Sequence, residues 1–182
     1  MKKGIFVAIA ALALAVFAVP EAQSKSGRSL DLRLSGSIFV TSSTDEGRPT
    51  PIDGLSALTA LSSGIAKGSG SPLFSTQTVV EPLPENPADY PAGCLALDPP
   101  QAGAGLSTTT VFTFKDGSLL SLTSDPEISF YCTDGLVFTA EFGGMVAGGT
   151  GRFEGATGTY ESTAEVVAGT GRLTAHTMVD LD

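Results

Sequence analysis

From residue 107 onward the chain alternates apolar and polar residues with a period of two, the mark of a half-buried strand. In residues 108–115, Thr110, Phe112 and Phe114 share one face. Asp116-Gly117 then makes a tight turn into residues 118–123, where Leu120 and Leu122 point inward. Asp125-Pro126 breaks the chain, after which Ile128, Phe130 and Cys132 alternate with Ser129 and Tyr131. A second Asp-Gly pair, Asp134-Gly135, leads into residues 136–146, with Leu136, Phe138, Ala140 and Phe142 opposed to Val137, Thr139 and Glu141. Runs at 157–167 and 172–180 follow. Upstream, Leu30, Leu32, Leu34, Ile38 and Val40 share one parity against Asp31, Arg33, Ser35 and Ser37, and residues 73–80 form a shorter run between Pro72 and Pro82. These eight runs are joined mostly as hairpins. An antiparallel meander must hide its edges, so it closes into a barrel or folds as a sandwich. Eight strands suit a barrel whose interior is filled by side chains or holds one small ligand. The expected fold is all-β, an eight-stranded antiparallel β-barrel.

Two segments interrupt the pattern. Residues 42–71 are rich in Ser, Gly and Thr, with a brief helical tendency at 55–61. Residues 82–106 hold six prolines (Pro82, Pro84, Pro87, Pro91, Pro99 and Pro100), which block strand pairing and helix interiors alike. Both are expected as long loops of one domain spanning residues 25–182. The composition agrees: 22 Gly, 11 Pro and no Trp favour short strands and turns, while 42% hydrophobic residues supply a core. A net charge of −9 excludes a nucleic-acid partner, which needs a basic footprint.

The N-terminus reads as a leader. Lys2 and Lys3 precede residues 5–19, a run of 15 without charge, too short for a bilayer anchor and right for a signal-peptide core. Cleavage fits after Ser24 or after Ala18, and residues 1–24 are taken as the signal peptide. The short basic start and alanine-rich core have a bacterial look, so the mature domain is expected to be secreted or periplasmic, away from membranes. Removal of Lys2, Lys3 and Glu21 leaves 8 basic and 18 acidic residues, a charge of −10. The only cysteines, Cys94 and Cys132, survive cleavage. An oxidising compartment favours their pairing as a structural disulfide, closing a loop whose chain-entropy stabilisation is roughly 3–4 kcal/mol. The rival readings fit poorly: the spacing is far from Cys-x-x-Cys, and the only histidine is His176.

The sharpest local motif is Gly148-Gly149-Thr150-Gly151-Arg152-Phe153-Glu154-Gly155-Ala156-Thr157-Gly158, echoed by Gly169-Thr170-Gly171-Arg172. A phosphate-cradling loop needs a helix after the glycines, whereas here a strand follows. The spacing also misses G-x-G-x-x-G by one residue. The stretch is expected to be a bend with positive φ at several glycines, Phe153 tucked inward and Arg152 projecting.

This motif between two late strands, with the hairpin Phe114-Lys115-Asp116-Gly117-Ser118-Leu119, resembles the allene oxide cyclase–dirigent superfamily, and more narrowly bacterial secreted proteins with an allene-oxide-cyclase-like barrel. The resemblance covers residues 108–179. It implies a barrel that contains a small molecule, often assembled in trimers, plant members cyclising an unstable epoxide or orienting radical coupling. It implies a structural role for Arg152 and Glu154. Residues 42–106 depart from the family pattern, so no catalytic residue is carried over.

The remaining titratable residues assemble no catalytic set. His176 shares its parity with Thr174, Met178 and Asp180, which points to solvent. Glu161 and Glu165 share a strand face, the simplest account of which is a solvated outer wall. No D-x-D-x-D-G calcium loop is present, and no cofactor or metal is expected. The expected function is therefore non-catalytic: an exported barrel that binds a small apolar molecule or serves a structural or interaction role, with a homo-oligomer among its partners. The alternative is a cyclase- or isomerase-type enzyme that confines a reactive small molecule in a dry lumen. What the lumen contains decides between them.

Overall fold

The structure is a computed structural model and describes residues 28–43, 58–80, 106–133 and 136–182. The leader, Cys94 and nearly all of the proline-rich segment lie outside the described residues. Nine strands are present: β1 (Arg28–Ser43), β2 (Leu58–Gly68), β3 (Leu73–Val80), β4 (Leu106–Thr113), β5 (Leu119–Ser124), β6 (Phe130–Thr133), β7 (Val137–Gly149), β8 (Gly158–Val167) and β9 (Arg172–Leu181). Their order is β5-β4-β3-β2-β1-β9-β8-β7-β6, every neighbour pair being antiparallel, and β5 also pairs with β7. That last pairing closes an eight-stranded antiparallel β-barrel, as expected.

The eighth stave is interrupted. One edge of β7 is taken by β8 over residues 137–145, and β5 and β6 share the other: β5 opposite residues 144–149, β6 opposite 138–141. The chain leaves the wall between them, and Ser129 bridges the gap with its hydroxyl on the Gly143 backbone, donating to the carbonyl and accepting from the N–H at 3.2 Å each. Ile128 therefore lies outside the wall, before β6 begins at Phe130. It stands 58% exposed on the outside, above Gly143, where a Cβ would meet its Cδ1 at 2.6 Å.

A second correction concerns residues 42–71, expected as a loop. β1 runs on to Ser43, and residues 58–68 form β2, a full stave between β1 and β3. The segment 55–61, read as faintly helical, ends inside that strand. The strand is inside-out. Ala60, Ser62 and Ala66 are buried in the lumen, while Leu61 and Ile65 face outward. Alternation is present, but the apolar bulk lies on the wrong side for a reading that equates apolar with inward.

Small residues face the lumen on β2 because a large one on the next stave needs the space. Gly36 and Gly64 are directly opposed, and the Phe74 ring of β3 lies against both. A Cβ on Gly64 would meet Phe74 Cε1 at 2.9 Å, and one on Gly36 would meet Cζ at 3.0 Å. The ring thus fills volume that the glycines vacate. Leu30 and Leu32 of β1, Phe112 of β4, Leu120 and Leu122 of β5 and Val179 of β9 belong with Phe74 to a single buried cluster, the dense packing expected of a protein interior.

Candidate functional site

Three places on this frame gather polar or charged side chains: the glycine corner, the lumen, and a cleft on the outer wall. The corner begins at the end of β7. Residue Ala147 is extra in the β5–β7 ladder, a bulge between the Ser121–Gly148 and Leu122–Val146 pairs, and Gly148 beside it has φ +125°. Gly149 still pairs with β5, and the chain then makes one 3-10 turn at Gly151–Phe153, with Gly151 at φ +61°. Gly155 and Gly158, at φ +71° and +143°, carry the chain into β8.

The turn delivers two side chains to one end of the barrel. Phe153 is buried against Phe114, ring centres 4.8 Å apart. Arg152 lies over both rings, its guanidinium carbon 4.3 Å from the centre of Phe114 and 4.9 Å from that of Phe153. Contacts of this type are worth about 0.5–2 kcal/mol. The same guanidinium reaches Asp116 Oδ2 at 3.4 Å, while the Arg152 backbone N–H donates to Ser118 Oγ at 3.1 Å. The Ser118 N–H donates to Asp116 Oδ1 at 3.0 Å. Gly70, in the β2–β3 turn, passes just beneath: a Cβ there would lie 3.0 Å from Arg152 Nη2. The corner is therefore a stopper that ties three inter-strand connections together, and its cation is already engaged. An anion would have to displace Asp116 and find no helix N-terminus behind it.

Asp116 is held below its ordinary value of 3.8, first by the Ser118 backbone N–H, with smaller help from the Ser118 hydroxyl and the Arg152 charge. A carboxylate with a lowered folded-state pKa stabilises fully above its unfolded value and loses that contribution as pH falls through the lowered value.

The lumen changes character along the barrel axis. At the stoppered end it is the apolar cluster already described. Toward the other mouth the inward residues become small and hydroxylic. Thr76 and Thr110 pair at 2.9 Å and Ser162 and Thr177 at 2.8 Å. Ser124 Oγ accepts from the Thr108 N–H at 2.7 Å and donates to the Leu106 carbonyl at 2.8 Å. The buried Tyr160 ring crosses above Gly144, whose added Cβ would lie 2.9 Å from it. Burial pushes the Tyr160 phenol above its ordinary 10.0, against an opposing pull from hydrogen bonds with Thr108 and Ser124. Each of these hydroxyls already has a protein partner, so they satisfy one another rather than converge on a reacting atom.

The cleft, about 1040 Å³, lies on the outer face of β7–β9 beneath the β5–β6 connection. Gly143 is its floor, Ile128 and Met145 its apolar sides, and Glu141 and Glu161 its carboxylates. Glu161 and Glu165 both face outward and are exposed. His176 also lines the cleft and is exposed, its Nε2 3.0 Å from Asp31 Oδ1. Among the described residues no group of three or more His, Cys, Asp or Glu is arranged to hold a metal ion. Cys132 is buried on β6, and no free cysteine is found among the described residues. The inward and outward parities of His176, Glu161 and Arg152 were readable from their neighbours; the meeting of Arg152 with Asp116 and Gly70 was not, because it joins residues up to 82 positions apart.

No family model, no curated protein and no solved structure matches the chain.

Two measurements probe the corner. Gly151→Val forces a β-branched side chain into positive φ with its Cβ 2.6 Å from Ser118 Oγ. It is expected to lower unfolding free energy by more than about 1 kcal/mol in urea titrations; an unchanged midpoint would show that the bend tolerates ordinary residues. Asp116→Asn is expected to flatten the acid limb of the melting-temperature profile below pH 3.8, leaving the gap between variant and parent constant from there to neutrality.

Proposed function

We propose that this chain is an exported, non-catalytic barrel whose lumen is structural core and whose outer surface does the work of binding or interaction. The observation that carries this reading is the filled interior: Phe74, Phe112, Phe114, Leu120, Phe153 and Val179 belong to one buried cluster across the stoppered half. A container for a reactive molecule needs a dry cavity with a few convergent polar groups. The interior hydroxyls instead pair with each other, and the carboxylates and the histidine stand outside. Export to a secreted or periplasmic location rests on the leader-like N-terminus. Residence in a lipid bilayer is opposed by Glu141, Glu161, Glu165 and Asp180 on the outer wall, since a lipid-facing band excludes such charges.

Kinship with allene-oxide-cyclase-like and dirigent-like barrels belongs to the same proposal and is supported by the closed eight-stranded form and the motif at the corner. A second reading, a small apolar molecule held at the hydroxyl-lined mouth, with cyclase-type chemistry as its extreme form, is favoured by one observation. Thr76, Thr110 and Ser162 point into the lumen yet are only half-buried. The proposal also includes a disulfide between Cys132 and Cys94, consistent with export and with the burial of Cys132.

Native mass spectrometry of protein purified from its own export route separates the two readings. The expected spectrum shows polypeptide mass only; a retained small molecule that leaves on denaturation would overturn the filled-lumen reading in favour of the container. Thiol titration of the same material is expected to find no reactive thiol before reduction and two after it, whereas two thiols in the native protein would dismiss the cysteine pairing.

A further inference from the structure

The cleft on the outer wall concentrates apolar side chains that the barrel itself does not bury. Of the eight large hydrophobic side chains exposed among the described residues, three line it: Ile128, Met145 and Met178, at 58%, 68% and 40%. Strand register arranges them around a carboxylate. Gly143, Glu161 and Met178 form one row across β7, β8 and β9, and Ile128 lies over Gly143. Glu161 therefore has an apolar side chain on either hand. Met145 and Glu141 are its two diagonal neighbours on β7. Diagonal neighbours on one face of a sheet stand about 7–8 Å apart, a span that two glutamate side chains close by converging on one cation.

We propose that this cleft binds an aliphatic amine, a primary ammonium carried on a chain of methylenes. The proposal rests on the reading above that the outer surface does the work of binding, and it names the ligand. Charge selects the head group. Among the described residues the lining holds three carboxylates (Asp125, Glu141 and Glu161), one histidine, and no lysine or arginine. Asp31, Glu127, Glu165 and Asp180 stand around it, and the cation closest in register is Arg33, opposite His176 on β1. The His176 ring is tied to Asp31, and Asp125 Oδ1 accepts the Glu127 N–H, whereas Glu141 and Glu161 have no ion-pair partner among the described residues. The net charge of −9 favours the approach of a cation.

The walls narrow the choice further. A neutral apolar molecule would strip water from the carboxylates and offer nothing in its place. A bare metal ion would leave Ile128, Met145 and Met178 in water. Phe142 and Tyr160 turn toward the barrel core, so the described residues offer no aromatic cage for a quaternary ammonium. Size selects the source. About 1040 Å³ is the scale of a small-molecule site, whereas three apolar side chains fall well short of the roughly 800 Å² per partner of a stable protein contact.

The methionines provide the readout. Beyond Met1 the chain has only Met145 and Met178, and both line the cleft. Carbon-13 methyl spectra of methionine-labelled exported protein, titrated with n-hexylamine at neutral pH and fixed ionic strength, are expected to show both signals shifting to saturation. Ethylamine is expected to bind at least about tenfold more weakly for want of methylenes to bury, and hexanoate to shift neither signal. Glu141→Gln/Glu161→Gln is expected to weaken hexylamine at least about tenfold at an unchanged melting temperature. Glu154→Gln/Glu165→Gln, which removes as much charge outside the cleft, is expected to bind as the parent does. Methyl signals that do not move overturn the proposal. Ethylamine binding as tightly as hexylamine, or an equal loss in both double variants, also overturns it by reducing the effect to a counterion atmosphere, and hexanoate binding overturns the choice of a cation. Unmoved signals together with polypeptide mass alone in native mass spectrometry would sink the amine site and leave the functional reading standing. A retained molecule that persists in Glu141→Gln/Glu161→Gln lies in the lumen and sinks the functional reading, while one lost from that variant belongs to the cleft and supports the site.

Discussion

The interior of a closed eight-stranded barrel has little volume to share, and this chain fills it with a few large rings. Phe74, Phe112, Phe114, Phe153 and Tyr160 reach inward from five different positions around the wall. Each large ring obliges a neighbouring stave to contribute almost nothing. Phe74 requires Gly36 and Gly64 beneath it, and Tyr160 requires Gly144. The constraint is steric and short-ranged. Dense interiors tolerate neither voids nor an extra methylene without a shift of atoms. Large inward residues on β3 and β4 therefore go with small ones on β2.

That constraint explains which parts of the fold were legible in the sequence. On β1, β4, β5, β8 and β9 the inward residues are larger or more apolar than the outward ones, so period-two alternation reports the strand and its facing at once. On β2 the relation is reversed. Ala60, Ser62, Gly64 and Ala66 face the core while Leu61 and Ile65 face out, and a polar, glycine-bearing run of that kind reads as loop. β6 misleads in the other direction. Ile128, Phe130 and Cys132 alternate well, yet the strand begins only at Phe130 and supplies part of a stave that β5 had begun. The barrel has eight staves as expected, but β2 holds a place that the sequence reading had assigned to the run containing β6. Local periodicity carries no information about which strand closes the ring, because closure depends on the β5–β7 pairing, set by residues far apart in the chain.

The glycine corner shows a similar division. Positive φ at its glycines, an inward Phe153 and the absence of a following helix are local matters, accessible from the residues themselves. The use of Arg152 is not. It covers two aromatic rings from separate connections and meets an aspartate on the connection that carries Phe114, so its role appears only when β4, β5 and β7 are brought together. The arrangement also accounts for the choice of arginine: a planar cation can lie flat on Phe114 and Phe153 while its edge meets a carboxylate, and a lysine ammonium offers no such plane.

The same economy of interior volume reaches the outer surface. When a strand must present alanine, serine and glycine to the core, its own contribution to burial is small, and the residues that would normally stabilise it have only the other face to occupy. Leu61 and Ile65 pair there with Phe39 and Leu73, giving cross-strand contacts that help hold β1, β2 and β3 in register but leave apolar area in water. Each such residue represents burial of roughly 25 cal/mol per Å² that a monomer forgoes. The neutral, serine-flanked grouping of these four side chains, on a chain whose strand carboxylates other than Asp31 lie on β7 to β9, shows that net charge describes this surface poorly. Its apolarity varies by strand, and the strand whose large side chains stand in water is the one whose interior was surrendered to the Phe74 ring.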